Sequence, residues 1–166
     1  MTRHDIFSTP FWNIEGIPQQ LVDELYKGAY RYKERYEGTS RSNDGGYQSP
    51  LFSWNYFHPQ GIKVINNILD NNIEYDYEIQ AWWYNINGKG DWNLPHTHPN
   101  SDLALVLYLT DTDNLLTLIN RVGGSLYSPN TNKGDILLFP ADLLHFVKPN
   151  KRDTDRISIS MNLRLC

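Results

Sequence analysis

The chain is short of several things, and each shortage excludes something. It has one cysteine, Cys166, in 166 residues. That rules out an internal disulfide framework and a cysteine-based zinc site. No apolar run approaches membrane-spanning length, so no transmembrane helix is expected. The N-terminal stretch MTRHDIFSTPFWNIEG lacks the continuous apolar core of a signal peptide. A cytoplasmic setting and no membrane partner follow as expectations. Cationic charge is also sparse: 15 Lys and Arg stand against 19 Asp and Glu, for a formal charge of −4. Without a dense basic patch to track a phosphate backbone, nucleic-acid binding is not expected.

Aromatics, in contrast, are plentiful at 13%, which suits rings packed on pleated β-surfaces. An exposed aromatic surface could also support a homodimer. The length allows one domain with a substantial core, so residues 1–166 are read as one unit. Within it, a helical buttress is expected over about 17–72 and a barrel over about 75–165.

An extended opening segment covers 6–12, and His4 lies in a leading segment read as mobile. From Pro18, the spacing of Leu21, Val22, Leu25, Ala29 and Tyr32 predicts a helix that Gly38 stops. Residues 38–50 are rich in Ser, Asn and Gly and read as a loop. A second helix is expected over 60–71, burying Ile62, Ile65, Ile68 and Leu69. His58 precedes Pro59 and reads as a surface or capping histidine. Beyond residue 75 helical spacing gives way to short β-patterns: 77–87, 103–109, 115–120, 135–140, 144–149 and 156–165. The last alternates cleanly. Ile157, Ile159, Met161 and Leu163 face one way, and Arg156, Ser158, Ser160, Asn162 and Arg164 the other. Helices first and many strands after suggest a mainly β fold, a barrel or jelly roll buttressed by N-terminal helices.

Chemistry concentrates in DWNLPHTHPNSDLALVLYL, residues 91–109. Pro95 and Pro99 favour extended backbone, and spacing by two puts His96 and His98 on one face. Neutral imidazoles converging on a point suit a borderline transition metal. Alone, this is a weak signal, since two solvated loop histidines would look the same. His145, 47 residues beyond His98, opens another strand, and a barrel brings such strands together at its mouth. Asp102 is a further candidate ligand. Arg156, with Ser158 two residues on, could grip a carboxylate with a planar fork and one more donor. Its bland reading is a strand-edge Arg paired with Asp153 or Asp155.

Taken together, HTHP, GDILLFPADLLHFV and RISISMN resemble the iron(II)/2-oxoglutarate-dependent dioxygenases. They are most like the group labelled "putative 2OG-Fe(II) oxygenase", common in phages and marine bacteria. IFSTPFW, SNDGGYQS and WYNINGKGDWNLPHTHPNS are similar to other parts of that group, so the resemblance covers most of the chain.

The resemblance implies a double-stranded β-helix, the jelly-roll or cupin-like barrel. It implies Fe(II), 2-oxoglutarate as cosubstrate, and O2, with succinate and carbon dioxide released as an unidentified substrate is hydroxylated. His96 would be the first metal ligand and His145 the distal one. Arg156 and Ser158 would clamp 2-oxoglutarate, and the gap of 11 residues after His145 fits. Tyr108 could reach the cosubstrate from the inner face. The superfamily's carboxylate position holds His98. Either His98 binds, giving three neutral ligands, or Asp102 swings in with His98 behind it. HTHP is the fixed part of the signature and the Asp102 position is not, which favours His98. Trp82, Trp83, Trp92 and Asn93 are candidates for the cavity's approach, although aromatic core packing suits at least two of them better. The segments 38–50 and 111–133 are expected to shape the pocket. Two other readings stand beside this one: a three-histidine cupin-like metalloenzyme without 2-oxoglutarate, and a non-catalytic jelly-roll module.

Overall fold

The computed structural model describes residues 2–6, 9–120 and 123–166, with the backbone alone for 2–6. The chain order is β1 (Thr2–Ile6), β2 (Thr9–Ile14), α1 (Gln19–Arg35), β3 (Asn43–Asp44), β4 (Tyr47–Gln48), a 3-10 turn (Trp54–Tyr56), α2 (Pro59–Asp70), β5 (Tyr77–Asn87), β6 (Trp92–His96), β7 (Leu103–Tyr108), β8 (Leu116–Ile119), β9 (Leu126–Tyr127), β10 (Ile136–Pro140), β11 (His145–Val147) and β12 (Arg156–Leu165). Phe7 and Ser8, inside the predicted opening segment, lie outside the described residues, as do Arg121 and Val122. The backbone around His4 is not a loose lead: Thr2–Ile6 pairs with β2. No described helix is long and apolar enough to cross a membrane.

Twelve strands form two antiparallel sheets. The larger runs β1-β2-β10-β7-β12-β5-β4 and the smaller β3-β6-β11-β8-β9. This is the double-stranded β-helix with helices on one side that the sequence led us to expect. Period two sorts the core. Leu105 and Leu107 of β7, with Ile157, Ile159 and Met161 of β12, face the helices and join a cluster with Leu21, Val22, Leu25, Ile65 and Leu69. Ala104, Val106 and Tyr108 face the other way, into a second cluster between the sheets with Leu118, Leu137 and Phe139. β7 is therefore buried on both faces, which is why it reads as an unbroken apolar run.

Helix α1 buries the stripe its spacing announced. Its end differs from expectation. The chain turns extended at Tyr36 (φ −124°, ψ 133°), so Gly38 is not the stop. The Tyr47 hydroxyl lies 3.2 Å from both Tyr32 O and Tyr36 O and donates to these terminal carbonyls. Gly38 instead makes room, since a Cβ there would sit 3.0 Å from Tyr47 Cδ2. Helix α2 opens as expected, with His58 Nδ1 accepting from Gly61 N–H and Pro59 in the first turn.

The predicted loop 38–50 holds two short strands. β3 pairs with β6 of the small sheet and β4 with β5 of the large one, so this tight turn carries the chain from one sheet to the other along one edge. Gly45 and Gly46 turn it at φ +70° and +65°. A Cβ at Gly46 would stand 2.8 Å from Ile86 O.

Candidate metal centre

His96 ends β6 directly across from His145, which begins β11. His98 follows on a loop held down where its N–H donates to Ala141 O at 2.8 Å. The three imidazoles converge, with one ligand atom from each lying within 4.8 Å of the others. His98 Nε2 and His145 Nε2 are 3.2 Å apart. Phe139 meets the His145 ring edge-on at 4.8 Å, and Trp83 flanks His98 at 5.7 Å.

The second ring nitrogens explain the orientation. His96 Nδ1 is 2.7 Å from Leu94 O and His145 Nδ1 is 2.8 Å from Leu143 O. A carbonyl only accepts, so each Nδ1 carries the proton and each Nε2 keeps its lone pair. Burial also favours neutral rings. It lowers the proton affinity of His96, takes His98 down to about 4 with help from His96, and takes His145 well below the usual histidine range.

These donors fit a divalent transition metal. Two cis ligands at ~2.1 Å from an ion lie ~3 Å apart, close to the His98–His145 spacing. Lone pairs facing one another at that distance repel unless a cation or a proton stands between them. Asp102 is elsewhere. It is exposed, and its Oδ2 accepts from Leu165 N at 2.9 Å.

A cavity of about 600 Å³ lies beneath the triad, on the inner face of the large sheet. Arg156 and Ser158 line it and are 5% and 2% exposed. The bland partners of Arg156 are engaged otherwise: Asp153 pairs with Lys89 and Asp155 accepts from the Tyr30 hydroxyl. Arg156 makes one long bond, from Nη1 to Asn87 Oδ1 at 3.5 Å, and its buried Nε has no partner. Burial lowers its proton affinity. Tyr108 sits opposite Ser158 in register, but in the inter-sheet core rather than on the cavity wall. Its hydroxyl has no hydrogen-bond partner, and burial pushes its pKa up to about 12.

The other expectations divide. Trp83 and Asn93 line the cavity. Trp82 is core on the helix side, and Trp92 Nε1 donates to Asp44 Oδ2. From 38–50 come Arg41, Ser42 and Gln48, whereas the described part of 111–133 supplies Leu116 alone. Sequence reasoning singled out no role for Asn85, Ser160 and Asn162, which also line the cavity. Their signal was the alternation of β5 and β12, which already put Ser160 and Asn162 on the face of Arg156.

Comparison with known proteins bears on this geometry. Residues 120–162 match the family described as "Putative 2OG-Fe(II) oxygenase", a stretch that holds His145, Arg156 and Ser158. The fold is similar to a prolyl-4-hydroxylase from Pseudomonas putida, at TM-score 0.71 and 14% identity over 96% of this chain and 95% of that one. It is also similar to HygX from Streptomyces hygroscopicus, solved with nickel and 2-oxoglutarate bound, at TM-score 0.69 and 12% identity over 94% of this chain and 83% of that one. By sequence, 72 residues are 39% identical to Germin-like protein 5-1 of Oryza sativa subsp. japonica, covering 43% of this chain and 30% of that protein. The chain thus spans under a third of the curated relatives it matches. The family match covers about a quarter of the chain, over part of the stretch whose motifs carried the resemblance, and the likeness to the solved structures is one of fold.

Proposed function

We propose that the protein is an iron(II)- and 2-oxoglutarate-dependent oxygenase that hydroxylates an organic substrate. One observation carries the reading: a single cavity has three convergent neutral imidazoles in its wall and a buried guanidinium that no carboxylate among the described residues pairs. An Arg so buried without a carboxylate is costly unless a ligand's anion completes it. The donor set fits iron, with His96, His98 and His145 as ligands and Asp102 outside the set. When bound, iron(II) would supply the oxygen-activating chemistry, with 2-oxoglutarate oxidised to succinate and carbon dioxide as O2 is consumed.

The chain's own residues do the rest. The carbonyls of Leu94 and Leu143 fix which nitrogen of His96 and His145 faces the centre. With no carboxylate among the ligands, the centre keeps its full positive charge to attract the 2-oxoglutarate dianion. The Arg156 fork and the Ser158 hydroxyl hold the far carboxylate. Val106, Leu116 and Val147 line the cavity and limit water around the reacting groups. Tyr108 supports the clamp from behind rather than touching the cavity.

Anaerobic titration with iron(II) and then 2-oxoglutarate tests the proposal through the visible charge-transfer band of the chelate. Arg156→Ala should weaken 2-oxoglutarate binding by roughly 10–100-fold, the worth of charged hydrogen bonds. Unchanged affinity in that variant would overturn the clamp. Metal binding without a 2-oxoglutarate band would instead favour a three-histidine metalloenzyme that does not use the cosubstrate, a reading the all-imidazole donor set also suits.

A further inference from the structure

The cavity is longer than its clamp requires. Along β12 its lining runs from Arg156 through Ser158 and Ser160 to Asn162, roughly 20 Å of strand. A five-carbon diacid held at Arg156 leaves the Asn162 end free. The wall carries polar atoms with nothing to bond, one level with Ser158 and one at that far end. Gln48 Oε1 and Asn162 Oδ1 are buried and have no hydrogen-bond partner. Gln48, 3% exposed, stands opposite Asn85, but the Asn85 amide already donates to Ser160 Oγ at 3.0 Å. Asn162 stands between Ala81 and Ala104 in register, too small to cover it. Buried polar atoms are nearly always paired, so two orphaned acceptors on one wall mark where a ligand's donors belong.

Charge narrows the ligand further. The chain has 19 Asp and Glu, yet none lines this cavity. Its charged lining residues are Arg156, deep in the barrel, and Arg41, exposed on the segment before β3. Among the described residues no carboxylate pairs with the Arg41 guanidinium; its backbone N–H alone is engaged, by Asn43 Oδ1. Beside it, Leu51 and Leu94 line the cavity while 41% and 42% exposed, an apolar collar.

We infer that the substrate is a small organic anion, a carboxylate or a phosphate, that also carries amide or hydroxyl donors and an apolar portion. Arg41 takes the anionic group, Gln48 and Asn162 take the donors, and Leu51 and Leu94 flank the apolar part. This deepens the oxygenase reading and rests on it.

The test is calorimetry on the full chain with iron(II) and 2-oxoglutarate, without oxygen. The probes are N-acetyl-L-leucine, glucose 6-phosphate and the cation L-leucinamide. At least one anion should bind at millimolar concentration and leucinamide should not; the anion that binds separates carboxylate from phosphate. Gln48→Met and Asn162→Leu should each weaken that anion about tenfold. Arg41→Glu, at an exposed position where folding is not at risk, should weaken it as much and admit leucinamide. Leucinamide binding as tightly as the anions, neither anion binding, or full affinity in both amide variants would overturn the inference. The chelate band needs no substrate, so it reports separately: a band without anion binding defeats the substrate class alone, and no band defeats both readings.

Discussion

His98 is the residue on which the centre's electrostatics turn. In the proposed centre a third imidazole in place of a carboxylate leaves the ligand set uncharged, and burial favours neutral rings. His98→Ala should lower metal affinity by about 100-fold, while Asp102→Ala should leave it within about twofold and cost at most ~1 kcal/mol of stability. Metal titration and denaturant unfolding of the two variants check this. Both residues were legible as candidates in the sequence. The sequence favoured His98, but it gave no sign that Asp102 is held away by the backbone N–H of Leu165, on a strand some sixty residues distant. The depressed histidines also set a pH signature for the metal-free protein. Unfolded rings take protons near 6.5, whereas folded ones resist until about 4 for His98 and lower than normal for His96 and His145. The unfolded state therefore binds more protons in that window, and stability falls as pH drops from 6.5 towards 4. Above 6.5 these rings contribute no slope. Urea midpoints across pH 4.5–7.5 measure it; a midpoint that holds level down to pH 4.5 contradicts the assignment.

At the scale of elements, what the sequence disclosed tracks how regular each pattern is. Helix α1 and strand β12 repeat their period long enough to be read, and their buried faces are those expected. The β3–β4 crossing was invisible, since strands of two residues have no period and its Gly-rich turn looks like any loop. Its importance comes from pairing one arm with each sheet. The same logic explains why 111–133 contributes so little to the cavity: β9 lies at the far edge of the small sheet, away from the triad. Gly46→Ala would put a Cβ against Ile86 O at a left-handed φ, so we expect a loss of ~1–3 kcal/mol. Gln48 should move with the turn. Chemical denaturation, with the 2-oxoglutarate band as a second readout, distinguishes a local shift from global loss. An alanine variant as stable as the parent would mean the β3–β4 turn can relax elsewhere.

For the molecule as a whole, composition pointed correctly to a β-rich fold with many aromatics, but not to how its charge is divided. A chain of formal charge −4 keeps every carboxylate off the lining of the cavity beneath the triad. Strand order also has a bearing on how that cavity comes into being. β12 lies between β7 and β5, yet it follows both in the chain. Until it is made, the large sheet exists as two separate pieces. The small sheet is likewise in two pieces until β11 joins β6 to β8, but β11 precedes β12, and so do the three clustered histidines. The non-local pairing of β12 should make its docking the slow event in refolding. Pulse-labelled hydrogen exchange should find β6 and β11 protected no later than β12. If the proposed function holds, the ribosome delivers the three imidazoles before the buried guanidinium, so a half-made chain could capture an ion but have nothing with which to set it to work.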